Sequence, residues 1–95
     1  MSETEIMRQI QIRASEQGHR LWRNNIGFCK DPILRYGLCP GSSDLIGLTK
    51  HGQFLAVEVK TPKGRLSESQ DLFLRMIQQL NGIGLVARKV EDFNV

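Results

Sequence analysis

Residues 44–61 read DLIGLTKHGQFLAVEVKT. From Phe54 the side chains alternate. Leu55, Val57 and Val59 point to one side of an extended chain, and Phe54, Ala56, Glu58 and Lys60 point to the other. Asp44–Thr49 forms a preceding strand. Lys50-His51-Gly52 between them is a turn in which Gly52 can take positive φ. The spacing predicts a hairpin of strands 44–49 and 53–61.

Outward from this hairpin, two helices frame the chain. Residues 3–17 repeat apolar residues at helical spacing through Ile6, Met7, Ile10 and Ala14. Ser2 can cap this segment, Glu3 and Glu5 suit its positive end, and Gly18 stops it. Residues 67–81 begin with the S-x-x-Q capping box, Ser67 and Gln70. Their apolar face is Leu72, Phe73, Met76, Ile77 and Leu80, and Gly82 and Gly84 end them. RLWRNN at 20–25 and Gly84–Lys89 are further strands, and VEDFNV at the C-terminal end is too short to assign. Residues 26–43, rich in Gly and Pro, and 61–66 read as loops. The order α-β-β-β-α-β predicts an α/β fold with a mixed central sheet flanked by helices, as a single domain over 1–95.

The composition excludes several classes. With 40% apolar and 24% charged residues, the chain has an ordinary globular composition and no signature of disorder. Glu, Lys, Arg and Gln interrupt every apolar stretch before it reaches membrane-spanning length, and MSETEIMRQ lacks a secretory pattern, so the expected compartment is the cytosol. Cys29 and Cys39, the two cysteines, read as free thiols, and His19 and His51 lack the spacing of a zinc site. The net charge of +3 is compatible with a polyanionic partner. Its basic residues gather in two groups: Arg20, Arg23, Lys30 and Arg35, and Lys60, Lys63 and Arg65.

Glu58 and Lys60 stand side by side on one face of a largely apolar strand. Such a pair can be a cross-strand ion pair on a solvated face. Asp44 gives it a second reading. The hairpin brings Asp44 alongside, and an Asp and a Glu on adjacent strands can share one Mg²⁺, which takes carboxylates plus waters. A nearby Lys then stabilises developing negative charge. Alone, Asp44 is equally a turn residue after Gly41-Ser42-Ser43. Glu3 falls in the middle of the inward face of the first helix, where it calls for a partner unless the first turn frays. Gln70 is explained by its capping box or by a role in holding water or phosphate.

Asp44 followed by Glu58-Val59-Lys60 resembles the D…(D/E)xK signature of the PD-(D/E)xK nucleases. Glu3-Thr4-Glu5-Ile6 is similar to the opening helix motif of the virus-type replication-repair nuclease (VRR-NUC) family. Trp22-Arg23-Asn24-Asn25-Ile26-Gly27 resembles that family's R-x-N-x-G stretch, Gly41-Ser42-Ser43-Asp44 its G-x-P-D motif, and Ser67-Glu68-Ser69-Gln70 its S-x-x-Q helix start. The motifs occur in order over nearly the whole chain. The departure is Ser43, which stands where the motif has Pro; that Pro supplies no ligand.

The resemblance implies a restriction-endonuclease-like core and a metal-dependent DNA nuclease. Asp44, Glu58 and the main-chain carbonyl of Val59 would hold Mg²⁺ or Mn²⁺. Lys60 would assist the hydrolytic water, and Glu3 and Gln70 would complete the site. Small members of this kind, typical of phages and bacteria, look like Holliday junction resolvases and are expected to be homodimers, since two symmetric cuts need two sites related by a two-fold axis. Arg23, Asn24, Lys63 and Arg65 are the expected phosphate contacts, which position DNA without reading sequence and weaken steeply with salt. The competing class is a non-cleaving module that grips branched DNA or a protein on a nuclease-like fold.

Overall fold

A computed structural model describes the backbone of residues 1–30 and 33–95, and the side chains of 1–27 and 36–95. The basic side chains of Lys30 and Arg35 and the thiol of Cys29 lie outside the described residues. The chain runs through α1 (Glu3–Glu16), β1 (Arg20–Arg23), β2 (Gly27–Lys30), β3 (Ile33–Tyr36), β4 (Leu45–Leu48), β5 (Phe54–Val59), α2 (Glu68–Gln79) and β6 (Ile83–Ala87), and ends in a 3₁₀ turn at Val90–Asp92.

Four strands form a mixed sheet in the order β1-β4-β5-β6. β4 pairs antiparallel with both β1 and β5, while β6 lies parallel to β5. The expected hairpin is β4–β5, with Gly52 at φ 85° in its turn. The parallel neighbour requires a crossover, which α2 supplies. This is the α/β architecture of a restriction-endonuclease-like core.

The alternation in β5 decides how the layers stack. Leu55, Val57 and Val59 are fully buried against Ile6, Met7, Ile10 and Ala14 of α1, together with Leu21, Leu45, Ala87 and Phe93. Ala56, on the opposite face, packs with Phe73, Leu74 and Ile77 of α2, and Phe54, Leu66 and Val86 lie at the margin of that cluster. β5 therefore has a helix over each face. That arrangement is what allows a carboxylate on this strand to be buried.

Both helices start as their sequences direct. The Ser2 side chain accepts from the Glu5 N–H, and in α2 the Ser67–Gln70 capping box is formed in both directions. The apolar face of α2 is narrower than expected. Leu72, Met76 and Leu80 are exposed, while Leu74 joins the core in their place. α2 packs on β5 and β6, so only the side turned to those strands is covered.

The larger departure lies in 26–43, read as loop. β2 and β3 pair there as a separate two-stranded antiparallel sheet, with Gly27 opposite Tyr36 and Lys30 opposite Ile33. Strands of four residues with a Gly and a Pro nearby carry too little periodicity to register as strands. Among the described residues, no helix is long and apolar enough to cross a membrane.

Candidate active site

β4 begins and β5 ends at the same place. Leu45 pairs with Val57, so one residue further along the antiparallel register sets Asp44 beside Glu58. The backbone of Asp44 is held by β1: the Asn24 N–H donates to the Asp44 carbonyl oxygen at 2.8 Å. Its side chain is held by β5: Oδ2 accepts from the Val59 N–H at 2.8 Å. Main-chain donors on two strands thus fix both ends of this residue. Ser43, which stands where the motif has Pro, is fully buried, and its hydroxyl donates to the Leu45 carbonyl at 2.8 Å.

Glu58 is 2% exposed. Its Oε1 accepts from Gln70 Nε2 at 3.3 Å and lies 4.0 Å from Lys60 Nζ, long for an ion pair. Its Oε2 is buried and, with the carboxyl ionised, has no hydrogen-bond donor. Burial, first of all, pushes the Glu58 carboxyl up to about 8. Asp44 adds to the rise in two ways, through a hydrogen bond and through like charge, and Glu3 adds further repulsion, whereas Lys60 pulls the other way. A hydrogen bond between two carboxyl groups needs a proton on one of them. Without a cation the site therefore stores a proton; with both groups ionised, Oε2 is left without a donor.

Gln70 forms its capping box and also reaches the Glu58 carboxylate. Its Oε1 accepts from the Ser67 N–H at 2.9 Å while Nε2 reaches Glu58. The two ends of one amide serve cap and carboxylate, so the capping box aims the donor rather than competing for it. Glu3 is half-buried in the first turn of α1, close enough to Glu58 to raise its pKa. Asp44, Glu58, Lys60 and Gln70 are thus brought together from the β4–β5 hairpin and α2, while Glu3 of α1 reaches Glu58 only through its charge.

The model of the VRR-NUC domain matches residues 2–90 of the 95-residue chain. The chain belongs to the VRR-NUC family. That membership gives it a nuclease-type function with DNA as substrate. A comparison with curated proteins returned no match.

The VRR-NUC site opens into a cleft of about 310 Å³ whose lining includes Asn24, Ile26, Tyr36, Gly41, Asp44 and Gln70. A Cβ at Gly41 would come within 2.9 Å of the Ser69 backbone, and its φ is 82°, so glycine lets the loop before β4 seat against the start of α2. Among the expected phosphate contacts, Arg23, Lys63 and Arg65 are exposed. Asn24 is placed differently. It is 9% exposed, its Nδ2 donates to Ser42 Oγ at 2.7 Å and to the Ser43 carbonyl at 2.9 Å, and its Oδ1 accepts from the Leu38 N–H at 3.0 Å. The amide is committed to shaping the loop that leads into Asp44. Asn24→Ala is expected to cost about 2–3 kcal/mol in urea denaturation, because it strips partners from buried polar groups. A loss under about 1 kcal/mol would remove this anchoring role.

Two groups escaped the sequence reading. Arg88 Nη1 donates to the carbonyls of Thr61, Pro62 and Gly64 at 2.7, 3.3 and 2.6 Å, and so holds the turn that carries Lys63 and Arg65. Nothing in its local sequence signals this contact across the sheet. Tyr36 and Ile26 enter the cleft only because β2 and β3 pair.

Among the described residues, no three His, Cys, Asp or Glu side chains group to hold a metal. A site of two carboxylates is too sparse for the closed shell of structural zinc. It suits an ion that keeps several waters, and Mg²⁺ is commonly bound through one or two carboxylates. The buried, unpartnered Glu58 Oε2 beside Asp44 fits such a cation.

Proposed function

We propose that this VRR-NUC protein is a metal-dependent, structure-selective DNA endonuclease of the Holliday-junction-resolvase kind. The observation that carries the reading is Glu58: a carboxylate buried beside a second carboxylate, with one oxygen lacking any donor. Burying two acids together is costly unless a proton or a cation resolves the repulsion. Asp44 and Glu58, with the carbonyl of Val59, hold Mg²⁺ or Mn²⁺ in this proposal. When bound, the ion lowers the pKa of water and neutralises charge on the reacting phosphate.

The protein's own groups divide the remaining work. The Val59 N–H fixes one Asp44 oxygen and so orients the carboxylate. The Gln70 amide holds Glu58 Oε1, leaving Oε2 to the cation. Lys60, 17% exposed at its side chain, aligns the nucleophilic water and stabilises negative charge on the phosphate. Glu3, at the first turn of α1, holds a water at the site. Arg23, Lys63 and Arg65 contact phosphates, a mode that is salt-dependent and blind to sequence. Two symmetric cuts across a junction need a homodimer. Such an enzyme works in the cytoplasm of a bacterial or phage-infected cell.

The test is cleavage of labelled four-way junction, flap, splayed-arm, linear duplex and single-stranded DNA in Mg²⁺, Mn²⁺ or EDTA, beside gel filtration at micromolar concentration. Junction cutting that EDTA abolishes, by a protein eluting as a dimer, is the expected result. Binding without cutting in any metal would replace the nuclease reading with that of a branched-DNA-binding module.

A further inference from the structure

Tyr36 is half exposed, and it sits in the same cleft as Asp44 and Gln70. An aromatic ring in that position has to be explained. Part of the explanation is local. Tyr36 pairs directly across the β2–β3 ladder from Gly27, and its ring lies over that glycine: a Cβ at Gly27 would collide with the ring carbons and the hydroxyl. The ring therefore rests on backbone on one side, in the manner by which aromatics cover strand glycines. The residue also lines the cleft of Asp44 and Gln70, together with Ile26, 40% exposed. Covering Gly27 does not require that an aromatic and an aliphatic side chain stay open beside the Asp44 carboxylate.

We propose that Tyr36 is a stacking platform for a nucleobase, and that it takes the unpaired base next to the phosphate held at Asp44 and Glu58. This rests on the nuclease reading for the position of the phosphate. The occupant follows from continuity. The substrate is DNA, its phosphate goes to the carboxylate end of the cleft, and the adjoining nucleotide must lie along the cleft walls. A paired base is stacked inside the duplex and cannot reach a ring at the protein surface. A base at a branch point, flap or bulge can, and aromatic stacking with it is sequence-tolerant because every base has a π-face. Tyr36 thus supplies selection for DNA structure without base-edge readout.

The test uses the full-length protein in Ca²⁺, which permits binding without relying on turnover. The probes are a duplex carrying a thymidine flap and a fully paired duplex of the same length. In a second flap probe the first three unpaired thymidines are replaced by 5-iododeoxyuridine, which photo-crosslinks to stacked aromatic rings. Wild type and Tyr36→Phe are expected to crosslink at position 36, mapped by peptide mass spectrometry. Tyr36→Leu, which keeps an apolar cover over Gly27, is expected to lose the crosslink and bind the flap about tenfold more weakly, in line with about 1–3 kcal/mol per stacked base. Its affinity for the paired duplex is expected to stay within about twofold. Equal loss on both probes, a crosslink mapping elsewhere, or no loss in Tyr36→Leu would each overturn the proposal. The nuclease reading is tested separately by metal-dependent cutting, so a protein that stacks the flap base but does not cut would sink that reading and leave this one standing.

Discussion

Lys60→Ala and Asp44→Ala are each expected to abolish DNA cleavage, with losses of about 10²–10⁴-fold or more in kcat for the removal of one transition-state group. The two variants fail for different reasons, and Glu58 reports the difference. Lys60 lowers the pKa of Glu58, so its removal lets the carboxyl hold a proton to still higher pH. Asp44 raises that pKa through a hydrogen bond and through charge, so Asp44→Ala moves it back towards the ordinary value of 4.5. Cleavage should be lost in both, while the pH dependence of thermal stability shifts upward in one and downward in the other. Near-normal cleavage by either variant would remove the residue from the catalytic set. Shifts in the same direction would mean that the Asp44–Glu58 contact is not what holds the proton.

In the absence of divalent cations, stability is expected to fall as pH rises from about 4.5 to about 8. The sign follows from linkage. Below 4.5 both folded and unfolded chains carry the Glu58 proton. Between 4.5 and about 8 the unfolded chain releases it and the folded chain keeps it, so the folded state binds more protons and loses stability as pH rises. The full effect is about 3–5 kcal/mol, since each unit of pKa difference corresponds to about 1.4 kcal/mol. In a domain of this size that is on the order of 10–40 °C in Tm. Glu58→Gln keeps the shape and the bond to Gln70 but has no charge to desolvate. Its Tm is expected to exceed that of the wild type at pH 8, to match it more closely at pH 5, and to be accompanied by complete loss of cleavage. Mg²⁺ bound as proposed would displace the proton, so its stabilising effect on the wild type should grow with pH and be absent in Glu58→Gln. Parallel Tm curves for the two proteins would show that Glu58 is not the titrating group.

The elements that position the site were legible because their signals are local. Alternation over Phe54–Lys60 marked β5 and assigned Glu58 and Lys60 to one face. The spacing of Ile6, Met7, Ile10 and Ala14 marked the buried side of α1, and Ser67 with Gln70 marked the start of α2. The grouping of Asp44 with Glu58 needed only the register of one hairpin, which its turn sets. The two roles of Gln70 looked competitive in sequence because a capping box describes one turn of helix. With α2 across β5, the amide keeps its cap through one end and meets the Glu58 carboxylate through the other.

What the sequence alone determined was which residues share a face, where helices begin, and which acids and which lysine are neighbours. These depend on periodicity and capping, which act within a few residues. Only the tertiary structure decided that Gly27–Lys30 and Ile33–Tyr36 pair beside the cleft, that the Asn24 amide turns inward to Ser42 and Ser43, and that Arg88 pins the turn at 61–64. It also decided that Glu58 is buried, which raises its pKa well above the ordinary carboxylate range. Each of these depends on contacts between segments remote in sequence and on how completely two helices exclude water from one strand. Desolvation is a property of the assembled layers, and no window of the chain carries it.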